Sequence, residues 1–234
     1  MPDVISSGTG DGEVLRAKKV GVNTWSQMRS ASVGTSVDDT SQTMQLLNAR
    51  TAGFKGRPDN WWLSRLLMPF NTGAIIPAMA IIDACTLGLY ISSNSSMGSY
   101  QTGYIFQGNQ SDETNLTIND YNNFVASILI GGSIGVGSNG WKNSVFNSDG
   151  LAAIRKSGEA SEGGGSAGWT KVFVRGKHDY LNISPVKSTH SINAFFRTAE
   201  GVNSPTLTIT WSMPPRILNI KGNTLDIKGN ALNI

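Results

Sequence analysis

Two histidines, His178 and His190, and one thiol, Cys85, are the residues of this 234-residue chain best suited to nucleophilic or acid–base chemistry. An active site needs such groups to converge with a base, an orienting partner or an oxyanion donor. Neither histidine has a nucleophile motif beside it in sequence. His178-Asp179 lies close to Arg175, which reads as a hydrogen-bonded polar cluster at a sheet edge rather than as a catalytic pair. Cys85 falls within an alternating apolar stretch with no basic neighbour to lower its pKa, so it is expected as a small core residue. One cysteine also leaves no intramolecular disulfide and no zinc site built on cysteine pairs.

Glycoside hydrolysis requires two facing carboxylates, and with 16 acidic residues in the chain some chance pair is unavoidable and spacing selects none. Asp38-Asp39 and Asp112-Glu113 offer the oxygen ligands Ca²⁺ takes, but neither completes a loop motif, so both are expected as solvated loop acids. Gly163-Gly164-Gly165 lacks the lysine of a phosphate-binding loop and reads as a flexible surface loop. The expectation is therefore a non-enzymatic protein with no catalytic residues, no cofactor and no metal. Binding chemistry is better represented. Trp25, Trp61, Trp62, Tyr100, Tyr104, Trp141 and Trp169 are rings on which a sugar could stack, and most should be core. Tyr100, in a polar stretch, and Trp169, beyond the glycine-rich loop, best tolerate exposure and are the candidate glycan contacts.

These groups must be carried on strands. Twenty-seven glycines and only 15% charged residues make a turn-rich composition that favours many short strands, and 39% apolar residues suffice for a packed core. A net charge of +3 from scattered bases points to no direct nucleic-acid partner. Met1 to Gly12 is polar and Gly-rich, so neither a secretory signal nor membrane insertion is expected. Residues 1–21 are locally basic at Arg16, Lys18 and Lys19 and read as an N-terminal arm.

Trp61 to Phe70 is the first strong strand signal. In the stretch from Ile81, Cys85, Leu87, Leu89 and Ile91 face one way while Thr86, Gly88 and Tyr90 face the other. Tyr104 to Phe106, Trp141 to Phe146, Lys171 to Arg175 and Ser191 to Arg197 read as further strands. Thr206 to Ser212 is the cleanest, with Leu207, Ile209 and Trp211 expected inward. Short helical pieces are expected at Ile118–Phe124 and Leu151–Ile154. Strands closing the domain this late fit an all-β, jelly-roll-type antiparallel sandwich over residues 22–213 better than a parallel α/β sheet.

Beyond Met213-Pro214-Pro215 a seven-residue repeat begins, in which Leu218-Asn219-Ile220, Leu225-Asp226-Ile227 and Leu232-Asn233-Ile234 are separated by Gly-Asn pairs. Gly-Asn is a two-residue hairpin signal and Leu-x-Ile alternates as a strand does, so residues 214–234 are expected as a β-repeat tail. A meander of this size is marginal alone in water. Leu218, Ile220, Leu225, Ile227, Leu232 and Ile234 are accordingly the candidate assembly residues, with docking on the chain's own sandwich as the alternative.

Three blocks resemble a known family. Arg65 to Pro77 continuing to Thr86-Leu87-Gly88-Leu89-Tyr90 is similar to the signature of the DNRLRE, or disaggregatase-related, jelly-roll modules. Trp141 to Leu151 forms the second block. Phe173-Val174-Arg175 with Asp179, Phe196 to Glu200 and Pro205 to Trp211 form the third, as the module occurs in tailed-phage virion proteins. The chain departs from the pattern at Asn71, where the family usually has Asp, and at the extra residue in Ile75-Ile76; an amide is the weaker ligand for a hard cation. The resemblance implies a carbohydrate-binding-like jelly roll on the surface of a virion, as capsid decoration, head fibre or tail-associated protein. Its implied partners are other virion proteins, further copies of itself as a trimer, and a host glycan.

Overall fold

The computed structural model describes residues 2–52, 58–187, 190–220 and 223–227, with 216–227 described by backbone alone. The main body is an all-β antiparallel sandwich. In chain order its strands are β1 (Asp3–Ser6), β2 (Gly12–Lys19), β3 (Ser36–Asp38), β4 (Thr43–Thr51), β5 (Asn60–Asn71), β6 (Ile81–Asn94) and β7 (Thr102–Gly108). There follow β8 (Phe124–Leu129), β9 (Ile134–Gly135), β10 (Gly140–Val145), β11 (Trp169–Gly176), β12 (Ile192–Arg197) and β13 (Thr206–Ser212). They join in one hydrogen-bonded network of order β1-β13-β6-β12-β4-β5-β11-β7-β8, with β10 on β6, β2 on β5, β3 on β2 and β9 on β7.

The two longest strands turn this network into a sandwich by sharing their edges. One edge of β5 pairs β2 along residues 60–67, while the other pairs β4 along 60–63 and then β11 along 66–71. At that fork the Ser64 hydroxyl accepts from the Leu47 amide at 2.6 Å and donates to the Gln45 carbonyl, replacing the ladder where β4 peels away. β6 behaves likewise, pairing β13 along 81–88 and β12 at 91–94 on one edge and β10 along 86–91 on the other.

Leu66, Met68 and Phe70 of β5 enter the larger core with Cys85, Leu87, Leu89 and Ile91 of β6 and Val172 and Val174 of β11. The alternate residues Trp61, Leu63 and Leu67 enter a second core with Met28, Phe106, Tyr121 and Phe173. Helix α1 (Trp25–Arg29) and a 3-10 turn at Ile118–Asn122 bring Met28 and Tyr121 to that second core. A strand buried on both faces is apolar at odd and even positions alike, which is why Trp61 to Phe70, interrupted only by the buried Ser64 and Arg65 and by Pro69, does not alternate. Helices α2 (Ser148–Ala153) and α3 (Lys177–Tyr180) and a second 3-10 turn at Thr72–Ala74 complete the described helices.

Several expectations meet a difference here. Residues 3–19, read as part of an arm, run as β1 on β13 and β2 on β5. β2 pairs β3 only at residues 13–15, so its basic end lies on an open edge, where Lys18 and Lys19 are exposed; charges on an edge strand obscure its strand character in sequence while discouraging pairing with other chains. As expected, β13 turns Leu207, Ile209 and Trp211 inward: the first two are buried, and Trp211, half-buried, packs against the same core. Opposite Thr210 and Trp211 the partner strand β6 carries a bulge at Asp83, and the indole N–H donates to Asp3 at 2.7 Å.

Past Pro215, β14 (Arg216–Ile220) and β15 (Asn223–Ile227) form a separate two-stranded antiparallel sheet. Leu218 stands opposite Leu225 and Arg216 opposite Ile227. The third repeat, with Leu232 and Ile234, lies outside the described residues.

Candidate functional site

The densest polar cluster centres on Asp179, fully buried at the start of α3. Arg65 of β5 grips its carboxylate through Nε at 2.8 Å and a terminal nitrogen at 3.0 Å. Arg175 does the same from β11 at 2.9 and 2.8 Å. Arg29 of α1 adds a third guanidinium, 3.3 Å from the carboxylate and bonded to the Asp179 carbonyl. Burial opposes ionisation of Asp179, but the charges and hydrogen bonds of Arg65 and Arg175 override it and hold the carboxyl far below the usual carboxylate range. Arg65 is itself fully buried and spends its remaining N–H groups on the Tyr121 and Arg29 carbonyls and the Asn122 amide oxygen.

Three guanidinium groups around one carboxylate leave positive charge in the interior. Aromatic faces absorb part of it: Arg65 lies 4.3 Å from the Tyr121 ring centroid, and Arg175 lies 4.7 Å from that of Phe124. Every contact joins one element to another, so the cluster ties α1, β5, the 3-10 turn, β11 and α3 together. His178, beside Asp179, is buried with Nδ1 against the Ile183 carbonyl at 2.9 Å, and burial pushes its pKa down, keeping the imidazole neutral. Sequence adjacency revealed Asp179 with Arg175; nothing in the sequence joined the distant Arg65 and Arg29 to them.

The loop acids hold loops. Asp38 accepts from the Thr40 and Ser41 amides and the Ser41 hydroxyl, Asp39 from the Leu116 amide at 2.8 Å, and Asp112 from Thr114 and Asn115. Glu113 instead faces a cation supplied by the chain itself. The buried Lys171 ammonium lies 3.3 Å from its carboxylate and donates to the Gln110, Glu162 and Gly164 carbonyls at 2.6–2.9 Å. The glycine-rich loop is thus pinned to the 110–113 loop by an ammonium in an oxygen cage. At the corner after β5, Asn71 caps the Ala74 amide at 3.2 Å. No group of three or more His, Cys, Asp or Glu suited to a metal occurs among the described residues.

Both rings singled out for glycan contact are half-buried. Tyr100 packs on His178 with centroids 4.8 Å apart and on His190 at 5.7 Å, with the Lys177 ammonium 5.2 Å from its centroid. Trp169 closes over Gly8, where an added Cβ would come within 2.9 Å of the indole. Trp141, 47% exposed, is the most exposed of the tryptophans. Cys85 is buried, and burial pushes its thiol up to about 12, as a core residue requires. Compared with known families and curated proteins, the chain matches no family model and no curated sequence.

Proposed function

We propose that the protein is a non-enzymatic assembly module, a jelly-roll-type sandwich displayed on a tailed-phage virion and joined to neighbouring copies or other virion proteins through its C-terminal repeats. The observation that carries this reading is the hairpin of β14 and β15, which follows Pro214-Pro215 as a sheet of its own and pairs with no strand of the main body among the described residues. A two-stranded hairpin gains too little burial to be stable alone in water, so a partner surface is its natural stabiliser. Leu218, Ile220, Leu225 and Ile227 lie on these strands and supply apolar residues for such a surface. The virion setting, the jelly-roll topology and a trimeric state rest on the resemblance of the three sequence blocks. The acids nearest to chemistry, Asp179 and Glu113, are committed to holding elements together, which suits a display scaffold.

The test is the mass in solution of the full chain beside a version ending at Met213, by light scattering over a concentration series. The expected result is an oligomer that truncation converts to a monomer. Monomers for both would exclude self-assembly through the tail and leave it to dock on its own sandwich or on a foreign partner; an oligomer unaffected by truncation would remove the tail from assembly and overturn the reading.

A further inference from the structure

At the end of the sheet from which the tail departs, β6 has an edge that no strand covers among the described residues. β13 pairs residues 81–88 of β6 on one side, whereas β10 pairs the other side only from residue 86 onward. After a last bond from the Phe146 amide to the Cys85 carbonyl at 2.9 Å, the chain turns into α2, which Asn147 caps. Residues 81–84 are left with a free edge, and Asp83, the one charge on it, accepts from the Ser212 hydroxyl at 3.2 Å. Between this edge and α2 lies an open cleft, walled by Ala80, Ile81 and Ile82 on one side and by Leu151, Ala152 and Ile154 on the other. Its two cations are spent on the chain's own acids, Lys156 on Glu159 at 3.2 Å and Arg155 on Glu162. Ile81, Met79 two residues before it, and Met213 just past its partner Ser212 are all exposed.

A free strand edge beside an apolar cleft suits an extended apolar strand, because the edge offers backbone groups and the cleft takes alternate side chains. An anionic ligand would find both cations of the cleft engaged. The chain itself carries strands of the required kind. The spacing of Leu218-Asn219-Ile220 and Leu225-Asp226-Ile227 puts two apolar residues on one face of each strand. Their hairpin pairs with no strand of the main body among the described residues, and it departs from Ser212, directly opposite Ile81. Met213 and Pro214 each precede a proline, which holds them extended. The link from Met213 to Pro215, about 9 Å long at the polyproline rise, therefore carries β14 away from its own sheet rather than back over Ile81. The tail of a neighbouring copy is not bound by that link.

We propose that this cleft is the acceptor for the C-terminal repeats of a second copy of the chain, with a Leu-x-Ile strand lying along residues 81–84 of β6 and its apolar residues between the sheet and α2. The proposal rests on the assembly reading and supplies the surface that the tail meets. Donor and acceptor are different parts of the chain, so the contact is heterologous: each copy gives one tail and receives one, and the copies close into a ring or continue as a filament. The test uses full-length variants of two kinds. Ala152→Arg, at an exposed position of α2, blocks the cleft and keeps the tail, and Ile81→Lys blocks the facing wall independently at another exposed position. Leu218→Asp combined with Leu225→Asp and Leu232→Asp disables the tail and keeps the cleft. In light scattering, with the fold of each variant checked by urea unfolding, every variant alone is expected to be a monomer where the unaltered chain is an oligomer, its association weakened by about tenfold or more. An equimolar mixture of Ala152→Arg with the tail variant is expected to recover a dimer, in which one intact tail meets one intact cleft. Undiminished oligomers in both cleft variants, or a mixture that stays monomeric, overturn the proposal. So does an unaltered chain that is itself a monomer, because its tail then serves its own cleft or a foreign partner. If ending the chain at Met213 dissolves the oligomer while both cleft variants leave it intact, the assembly reading stands and this acceptor alone falls.

Discussion

Asp179 meets three guanidinium groups with a single carboxylate, and its value to the fold lies in what would remain without it. Removing its charge would leave Arg65 and Arg175 facing one another in a space closed to water, and breaking a buried pair from one side typically costs about 3–5 kcal/mol. Asp179→Asn is expected to lower stability by that order, read as a shift of the urea unfolding midpoint at unchanged slope. A loss below about 1 kcal/mol would mean that the arginine charges are already neutralised by carbonyls and rings. Arg65→Lys should also destabilise, because an ammonium cannot reproduce the two-pronged grip on Asp179 together with the bonds to Tyr121, Asn122 and Arg29. A single residue's neighbours along the chain disclose such a centre only in part. Arg175 is four residues from Asp179 and so visible, whereas Arg65 sits 114 residues away.

Ser64 shows what an element needs when its neighbour departs. The Leu47 amide and Gln45 carbonyl of β4 have lost their partners on β5 and are served by one hydroxyl. Ser64→Ala would leave both unpaired in a fully buried place, at a cost of about 1–3 kcal/mol. Hydrogen exchange is expected to quicken at Leu47 while the β11 half of β5 stays protected; unchanged protection at Leu47 would show that the fork closes without the hydroxyl. Strands with one wet and one dry face were legible in sequence: β6 and β12 bury the alternating residues their patterns mark. β4 was not, because its inward series Met44, Leu46 and Asn48 ends in a polar residue whose amide oxygen accepts from the Asp179 amide. β1 and β2 were hidden by brevity and by edge charges. The tail's first two repeats form the expected strands, although Asn223, assigned to a turn, pairs with Ile220 as the first residue of β15.

At the scale of the molecule, the N-terminal strands are fastened to the rest through two carboxyls that burial makes reluctant to ionise. Asp11 is fully buried between the Ser7 hydroxyl and the Ala199 amide, with Glu200 adding like charge, and its pKa is pushed up to about 7. Glu13, which accepts from the Gln45 amide and faces Asp38, is also raised to about 7, chiefly by burial. A carboxyl whose folded pKa exceeds its unfolded value contributes stability that is full below the unfolded value, near 4, and is lost as pH rises to about 7. Asp179 acts in the opposite sense, since its depressed pKa gives stability that is kept above the ordinary carboxylate value and lost only as pH falls below it. The two effects together place the stability maximum on the acid side of neutrality, near pH 4, and Asp11 alone should make the protein about 2–3 kcal/mol more stable at pH 5 than at pH 8. Urea unfolding at the two pH values measures the difference, and Asp11→Asn, which cannot ionise, should flatten much of it. Equal stability at pH 5 and pH 8 in the unaltered protein would mean that the junction of the N-terminal strands with the 198–201 segment admits water, because only a solvated carboxyl there could ionise without cost to the fold.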